Sequence, residues 1–239
     1  MRVHQDTEQW LRHSTGDEFK SFWQQAERGG KPPAGFKELI QFSIKKKMPL
    51  PMVSTDVLDR AVHSAFRKFA RGEFTMPDLV MHAENIGDAR AVLVKHDSGM
   101  KALRKGKFLV ATIEGECHRH GKDIVTSLLR GIGFQAIDLG SGVAVDGIVN
   151  AVKWHKPDYL GISASVLSTI PTIEKMRNRL KKAGCLKKTK LFIGGYAAMD
   201  ESSKSIGAER YCKNISQTIG LLSALAAGSG GGRPERPSS

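Results

Sequence analysis

Beyond about residue 107 this chain repeats one pattern: a short apolar run, a polar or glycine-bearing loop, then a segment with helical spacing. Strand-like runs lie near 108–113, 134–138, 158–163, 190–194 and 209–212. Helix-like segments lie near 122–131, 145–155, 170–183, 201–206 and 214–226. Phe108, Leu109, Val110, Ala111, Thr112 and Ile113 run on without polar–apolar alternation, as do Leu191, Phe192 and Ile193. Strands covered on both faces have that composition. Five β/α units predict a parallel sheet with helices on its two sides. Sheets of this kind bind ligands in the loops beyond the carboxyl ends of their strands.

Residues 1–98 read as helices only. Asp17 and Glu18 suit the first turn of one helix, and the breaker Gly30, Pro32, Pro33 and Gly35 follows it. A second helix spans about 36–47, with Leu39, Ile40 and Phe42 apolar, and Pro49 and Pro51 interrupt it. A third runs over 53–70, with Val57, Leu58, Val62, Ala65, Phe66 and Phe69 on one side. Pro77 stands at the start of a fourth, through Leu79, Val80, Ala83, Ile86, Ala89 and Val92. Four helices with short connections predict an antiparallel bundle. Residues 98–107 read as a linker, and 227–239 as a flexible, low-complexity tail. Residues 1–16, with Trp10 and Leu11, fit no pattern.

The net charge is +13, from 37 Lys and Arg against 24 Asp and Glu, which raises the question of a nucleic-acid partner. The cations are dispersed, densest at Lys45–Lys47 and at Lys181, Lys182, Lys187 and Lys188, and no helix-turn-helix, zinc-finger or RNA-binding signature accompanies them. A solvated basic surface and an acidic protein partner both account for them; nucleic acid does not. Cys117, Cys185 and Cys212 are odd in number and scattered, which fits a reducing, cytoplasmic setting rather than a disulfide framework. No run approaches the ~18 apolar residues of a membrane span, and residues 1–6 lack the apolar stretch of a signal peptide.

The chemistry concentrates in the loop after the first apolar run. His118 stands two residues after Glu116 and three before Gly121. That spacing suits a metal-ligating imidazole whose other ring nitrogen is held by the acid. The segment resembles the Asp-x-His-x-x-Gly motif of methionine-synthase-type cobalamin-binding proteins, with Glu116 in place of the aspartate. Further segments follow in the family's order. The strand ending at Ser163 runs into Ala164 to Thr169, which is similar to its Ser-x-Leu stretch, with Ser165 where leucine is expected. Gly194 and Gly195 end the next strand, and residues 207–214 resemble its closing strand and loop. The turn through Phe74, Met76 and Leu79 resembles the family's helical cap. The resemblance covers roughly residues 35–226.

The resemblance implies an α/β architecture: an N-terminal four-helix-bundle cap (1–98), then a Rossmann-like (flavodoxin-like) parallel five-stranded cobalamin-binding domain (107–226). It implies that His118 ligates cobalt, that Glu116 holds its imidazole, and that Thr169 completes a proton relay to that acid. Cys117, Arg119, Gly121, Ser163, Ser165, Leu167, Gly194, Gly195 and Tyr211 would contact the cofactor from below, and Phe74 and Met76 from above. His120 is either a further imidazole near cobalt or a solvent-facing loop residue. The implied function is that of a corrinoid protein carrying a methyl group between a substrate-specific methyltransferase and a second, methyl-accepting methyltransferase. A cobalamin-dependent sensor and a cobalamin-free α/β interaction protein are the other classes the residues allow.

Overall fold

The computed structural model describes residues 35–45, 47–199 and 206–226. The expected first helix, residues 1–16, most of the expected helix at 201–206 and the tail at 227–239 lie outside the described residues.

Helix α1 spans Gly35–Lys45. A turn at Leu50–Met52 leads through a π-helical stretch, Val53–Leu58, into α2, Asp59–Ala70. Pro51 sits in the first turn of this rod, where a missing N–H removes no intrahelical bond. Helix α3, Met76–His96, starts on a reciprocal cap: Thr75 accepts from the Asp78 N–H, and the Asp78 carboxylate accepts from the Thr75 N–H at 2.8 Å. Leu79, Ala83, Ile86, Ala89 and Leu93 recur at three- and four-residue steps and form one buried stripe along α3. Phe36, Leu39 and Ile40 of α1 and Val62, Ala65 and Phe66 of α2 share its core.

That core contains a titratable group. His82 is 7% exposed and lies edge-on to Phe36 at 5.3 Å and Phe74 at 5.7 Å. Burial, and then the nearby Lys68, lower its pKa to about 4. The unfolded chain takes up this proton near pH 6.5 and the folded chain does not until about 4. The stabilisation from keeping His82 neutral is therefore complete above about 6.5 and is lost as pH falls toward 4. Thermal melts at pH 4–8 should show a steeper acid decline for the parent than for His82→Leu, a differential on the order of 3 kcal/mol across that window. Parallel pH profiles would refute the assignment.

Five strands follow: β1 Lys107–Thr112, β2 Gln135–Asp138, β3 Tyr159–Ser163, β4 Lys190–Gly194 and β5 Arg210–Cys212. All pair in parallel, in the order β2-β1-β3-β4-β5. Helices α4 (His120–Ile132), α5 (Val145–His155), α6 (Ile170–Lys182) and α7 (Ile215–Ala226) complete the doubly wound layer. Leu109, Ala111, Leu160, Ile162, Leu191 and Ile193 point to the α5–α6 side. Phe108, Val110 and Phe192 point to the other side, and their core runs on without a break into that of the helical half.

The two halves meet where α3 crosses α4. A Cβ on Gly131 would lie 2.8 Å from the Ala83 carbonyl oxygen, so only glycine permits this approach. Arg90 Nε donates to the Gly131 carbonyl at 3.0 Å, while its other nitrogens reach Ser54 at 3.0 Å and Asp59 at 2.5 Å. Ser127 donates to Glu84 at 2.8 Å. The stretch expected as a plain linker is structured as well: Ser98–Leu103 forms a 3₁₀ turn capped by Asp97, and Met100 is 4% exposed. Burying that methionine and sharing one core joins the halves more closely than composition alone implies. Among the described residues no helix is long and apolar enough to cross a membrane.

Candidate functional site

The sheet order reverses direction between β1 and β3, the position where open α/β sheets leave a crevice beyond their strand ends. The loops following these two strands meet there, and Glu116 joins them. Its Oε1 accepts from the His118 backbone N–H at 2.8 Å and lies 2.6 Å from His118 Nδ1. Its Oε2 accepts from the backbone N–H groups of Ser165 and, at 3.1 Å, Val166. Thr112 stabilises the turn from beneath, donating to the Glu116 carbonyl at 3.0 Å and accepting from the Gly142 N–H at 2.8 Å.

Glu116 is 2% exposed, and that burial opposes its ionisation. The bonds from the His118 N–H, the Ser165 N–H, the His118 ring and the Val166 N–H outweigh burial and hold its pKa below the ordinary carboxylate value. An ionised carboxylate only accepts, so His118 Nδ1 carries the proton and the lone pair lies on Nε2. The His118 side chain is 63% exposed, which leaves that nitrogen accessible. Ligating atoms of Glu116, Cys117 and His118 lie within 4.8 Å of one another, the one such group among the described residues. With both Glu116 oxygens engaged by N–H groups, the His118 imidazole and the exposed Cys117 thiol are the ligating groups left facing outward.

Beside His118 a cavity of about 400 Å³ descends between the sheet and helices α4 and α7. Strand register makes it. Gly161 lies level with Val110 and Phe192, and Ser163 and Cys212 flank Gly194, so small residues gather at the carboxyl ends of adjacent strands. Toward the opposite ends Phe108 and Phe192 each stack on Tyr159, at 5.2 and 5.6 Å, and meet each other at a tilt at 5.8 Å, closing the slot. Val125 of α4 and Leu221 and Leu222 of α7 form the facing wall. Gly195, at φ +100°, lets the chain turn at the mouth; a Cβ there would lie 2.4 Å from the Ala164 carbonyl oxygen. Lys122 anchors the start of α4. Its side chain is 2% exposed, and Nζ bridges Asp123 at 2.7 Å and Asp138 at 2.5 Å. Burial disfavours this cation, but the two carboxylates outweigh burial and raise its pKa.

His118, Gly121, Ser163, Ser165, Gly194 and Gly195 come together around this slot, and His120 lines it too. Cys117 and Arg119 are exposed in the same loop, Arg119 lying 3.7 Å from Asp123. Other expected contacts stand elsewhere. The Thr169 hydroxyl donates to the Val166 carbonyl at 2.6 Å, not to Glu116, whose extra methylene carries its carboxylate to backbone N–H groups instead. Leu167 is 44% exposed outside the cavity. Tyr211 packs on the α5–α6 side of β5, its hydroxyl accepting from the Ala208 N–H at 2.9 Å, and the next residue, Cys212, lines the slot. Phe74 and Met76 pack into the helical core rather than line this cavity. The sequence reading missed Phe108, Gly161, Phe192, Leu222 and the buried Lys122. The two-residue period of β1, β3 and β4 carries a signal for the strand residues, because it places 108 and 110, 161 and 163, and 192 and 194 on common faces.

Comparison with known proteins agrees with this geometry. Residues 106–211 match the B12 binding domain. The chain is 31% identical over 159 residues to the trimethylamine corrinoid protein of Methanosarcina barkeri, covering 66% of this chain and 73% of that protein. It is 29% identical over 161 residues to dimethylamine corrinoid protein 3 of Methanosarcina mazei, covering 67% of this chain and 96% of that one. Among solved structures, the methanol:cobalamin methyltransferase complex of Methanosarcina barkeri superposes with a TM-score of 0.70 at 23% identity, over 91% of this chain and 83% of that one. A cobalamin-binding protein from Desulfitobacterium hafniense gives 0.66 at 21% identity, over 87% and 98%. At such identities these two structures bear on the fold.

A doubly wound sheet with a histidine loop at its switch point and a matched B12 binding domain defines a cobalamin-binding protein. The chain belongs to the corrinoid protein family, and cobalamin is its cofactor. The residues present fit that group. His118 offers an accessible Nε2 with Nδ1 already clamped, and a slot floored by small residues opens beside it.

Proposed function

We propose that this chain binds cobalamin with His118 Nε2 as the lower axial ligand of cobalt and carries a methyl group between two methyltransferases. The observation that carries this reading is the Glu116–His118 clamp, which fixes the proton on Nδ1 and directs the lone pair of Nε2 outward. Bound cobalamin supplies a cobalt centre able to accept and release a methyl group. The protein supplies orientation and shielding. Glu116 makes the imidazole a better donor and holds its proton at Nδ1. The slot between the sheet, α4 and α7 receives the nucleotide tail, excluding water from it. The helical half, residues 1–98, acts as cover for the opposite face of the corrin, and residues 107–226 as the cofactor domain.

The relatives' names refer to trimethylamine and dimethylamine, and one structural neighbour is a methanol:cobalamin methyltransferase complex. By analogy, a substrate-specific methyltransferase loads this carrier and a second enzyme unloads it. Titrating the purified chain with cobalamin should give stoichiometric binding and the absorbance of imidazole-ligated cofactor. The methylated holoprotein should then require an added methyltransferase for rapid transfer to a thiol. Fast transfer by the holoprotein alone would make it the enzyme rather than the carrier, and failure to bind cobalamin would remove both readings.

Glu116→Gln gives a graded test of the clamp. The amide removes the negative charge and presents an N–H₂ group to atoms that are themselves donors. Outer partners of ligating imidazoles typically change affinity by ~10–100-fold, and a loss in that range is expected here. Glu116→Asp should retain ligation. An affinity and spectrum unchanged in Glu116→Gln would show that the carboxylate does not tune His118.

A further inference from the structure

Cations dispersed along the sequence converge in space. In a parallel sheet all strands start at one edge, and the helices that run back between them end there. Helix C-termini favour cations, and this edge collects them. Lys107 and Lys190 open β1 and β4, and Lys153 and Lys156 stand at the end of α5. Lys187 and Lys188 belong to the turn that enters β4. Hydrogen bonds draw these segments together. The Lys190 N–H donates to the Asp158 carbonyl at 2.9 Å, the Asp158 N–H to the Lys107 carbonyl at 3.0 Å, and the Thr189 hydroxyl to the Pro157 carbonyl at 2.7 Å. Lys107 Nζ donates to the His155 carbonyl at 2.6 Å. The other five lysines are exposed, and among the described residues none of them forms an ion pair. The nearby Asp158 carboxylate instead accepts from the Lys107 N–H at 2.7 Å. Trp154 stands among these lysines. It is 83% exposed, the most of any large apolar side chain among the described residues. Helix geometry explains this: Val145, Ile148, Val149 and Val152 face the core, and Trp154 falls on the opposite side of α5. The His118 loop lies beyond the other edge of the sheet, and β1 alone separates the two edges by roughly 17 Å, at about 3.3 Å per residue.

We infer that this edge docks an acidic segment of a partner protein, whose carboxylates meet the lysines and whose apolar side chain covers the Trp154 ring. An indole held in water gains free energy when apolar groups cover it. A tryptophan anchor inside a charged rim has the layout of a protein interface, and the lysines set the sign of the partner. Nucleic acid fits this edge less well. A strand needs successive aromatic platforms, and the other exposed large apolar residues lie elsewhere: Leu167, Tyr196 and Met199 follow β3 and β4 at the opposite edge, and Met81 is on α3. A membrane surface fits less well too, since one indole offers far less apolar area than an interfacial helix inserts. The inference goes beyond the methyl-carrier reading and does not depend on it. A segment held at this edge leaves the His118 loop uncovered, so a second protein has room to act at the cofactor.

The test uses the full chain, with and without cobalamin, and three probes: a short synthetic peptide of glutamates with a central leucine pair, single-stranded oligothymidine, and vesicles containing phosphatidylserine. The peptide is expected to bind in dilute buffer and to weaken steeply as salt rises toward about 0.3 M, where screening shortens the reach of the charges. The same peptide with glutamine for glutamate should not bind. Trp154→Ala should weaken peptide binding by about tenfold or more, the loss typical of an interface anchor. The double variant Lys153→Glu, Lys156→Glu should abolish it. All three substitutions alter exposed side chains, so circular dichroism and cobalamin binding should stay at parent values. No peptide binding, or unchanged affinity in Trp154→Ala, would overturn the proposal. So would displacement of the peptide by cobalamin, which would place it at the cofactor mouth. Oligothymidine or vesicles binding more tightly than the peptide, with that binding lost in Trp154→Ala, would overturn it in favour of nucleic acid or membrane. Peptide binding as expected in a chain that fails to bind cobalamin would remove the methyl-carrier reading and support this surface.

Discussion

His118→Ala is expected to abolish the spectrum of imidazole-ligated cobalamin and to weaken binding by more than the ~10–100-fold expected of Glu116→Gln. The variant removes the accessible nitrogen of the 116–118 cluster: Glu116 is engaged through both oxygens, and His118 presents Nε2 to solvent, which leaves only the exposed Cys117 thiol as a ligating group there. Any residual binding should come from the slot beside the loop, giving cofactor without imidazole ligation. Because the His118 side chain is 63% exposed, its truncation leaves no core cavity, and thermal stability without cofactor should change little. Exogenous imidazole should restore part of the lost spectrum. Parent-like absorbance and affinity in His118→Ala would refute ligation by this residue.

Gly195→Ala is expected to have the largest effect on stability. Gly195 adopts φ +100°, and an added Cβ would sit 2.4 Å from the Ala164 carbonyl oxygen. That oxygen is backbone and cannot swing aside. It accepts from the Ala197 N–H at 3.0 Å, while the Ala164 N–H bonds to the Gly194 carbonyl at 2.9 Å. Relief of the clash must break the contact between the β3 and β4 loops. Strain of this kind costs on the order of 3 kcal/mol, which for a chain this long corresponds to a fall in Tm of roughly 6–12 °C. Ala164 immediately precedes Ser165, whose N–H holds Glu116, so cobalamin affinity should fall with stability. Gly220→Ala is the control. It lies in α7 with nothing within 4 Å of an added Cβ, and helix propensity favours alanine there. A Gly195→Ala variant melting like the parent would show that the loops have room the structure does not display.

The alternation of apolar strands and amphipathic helices after residue 107 determined the parallel, doubly wound sheet, because strands buried on both faces need unbroken apolar runs and helices to cover them. The loop after β1 was equally legible: Glu116, His118 and Gly121 are close in sequence, so their chemistry survives translation into space with little help from the rest of the chain. Tertiary structure decided the partners of Glu116. Ser165 and Val166 are 49 and 50 residues away, and the loop closure that brings their N–H groups to the carboxylate has no local signature. It also decided the fate of Thr169 and Tyr211, since the first turns to Val166 and the second faces the α5–α6 layer. The slot arises from register. Gly161, Ser163 and Gly194 are ordinary small residues until pairing sets them side by side, with Phe108 and Phe192 closing the far end. The union of the two halves is tertiary as well. Residues 98–107 look like a linker in sequence because a lone Met100 and scattered polar groups give no periodic signal. Only the approach of α3 to α4 over Gly131 shows why that segment is turned and its Met100 buried: hydrophobic burial and backbone contact belong to pairs of elements, and a sequence lists its elements one at a time.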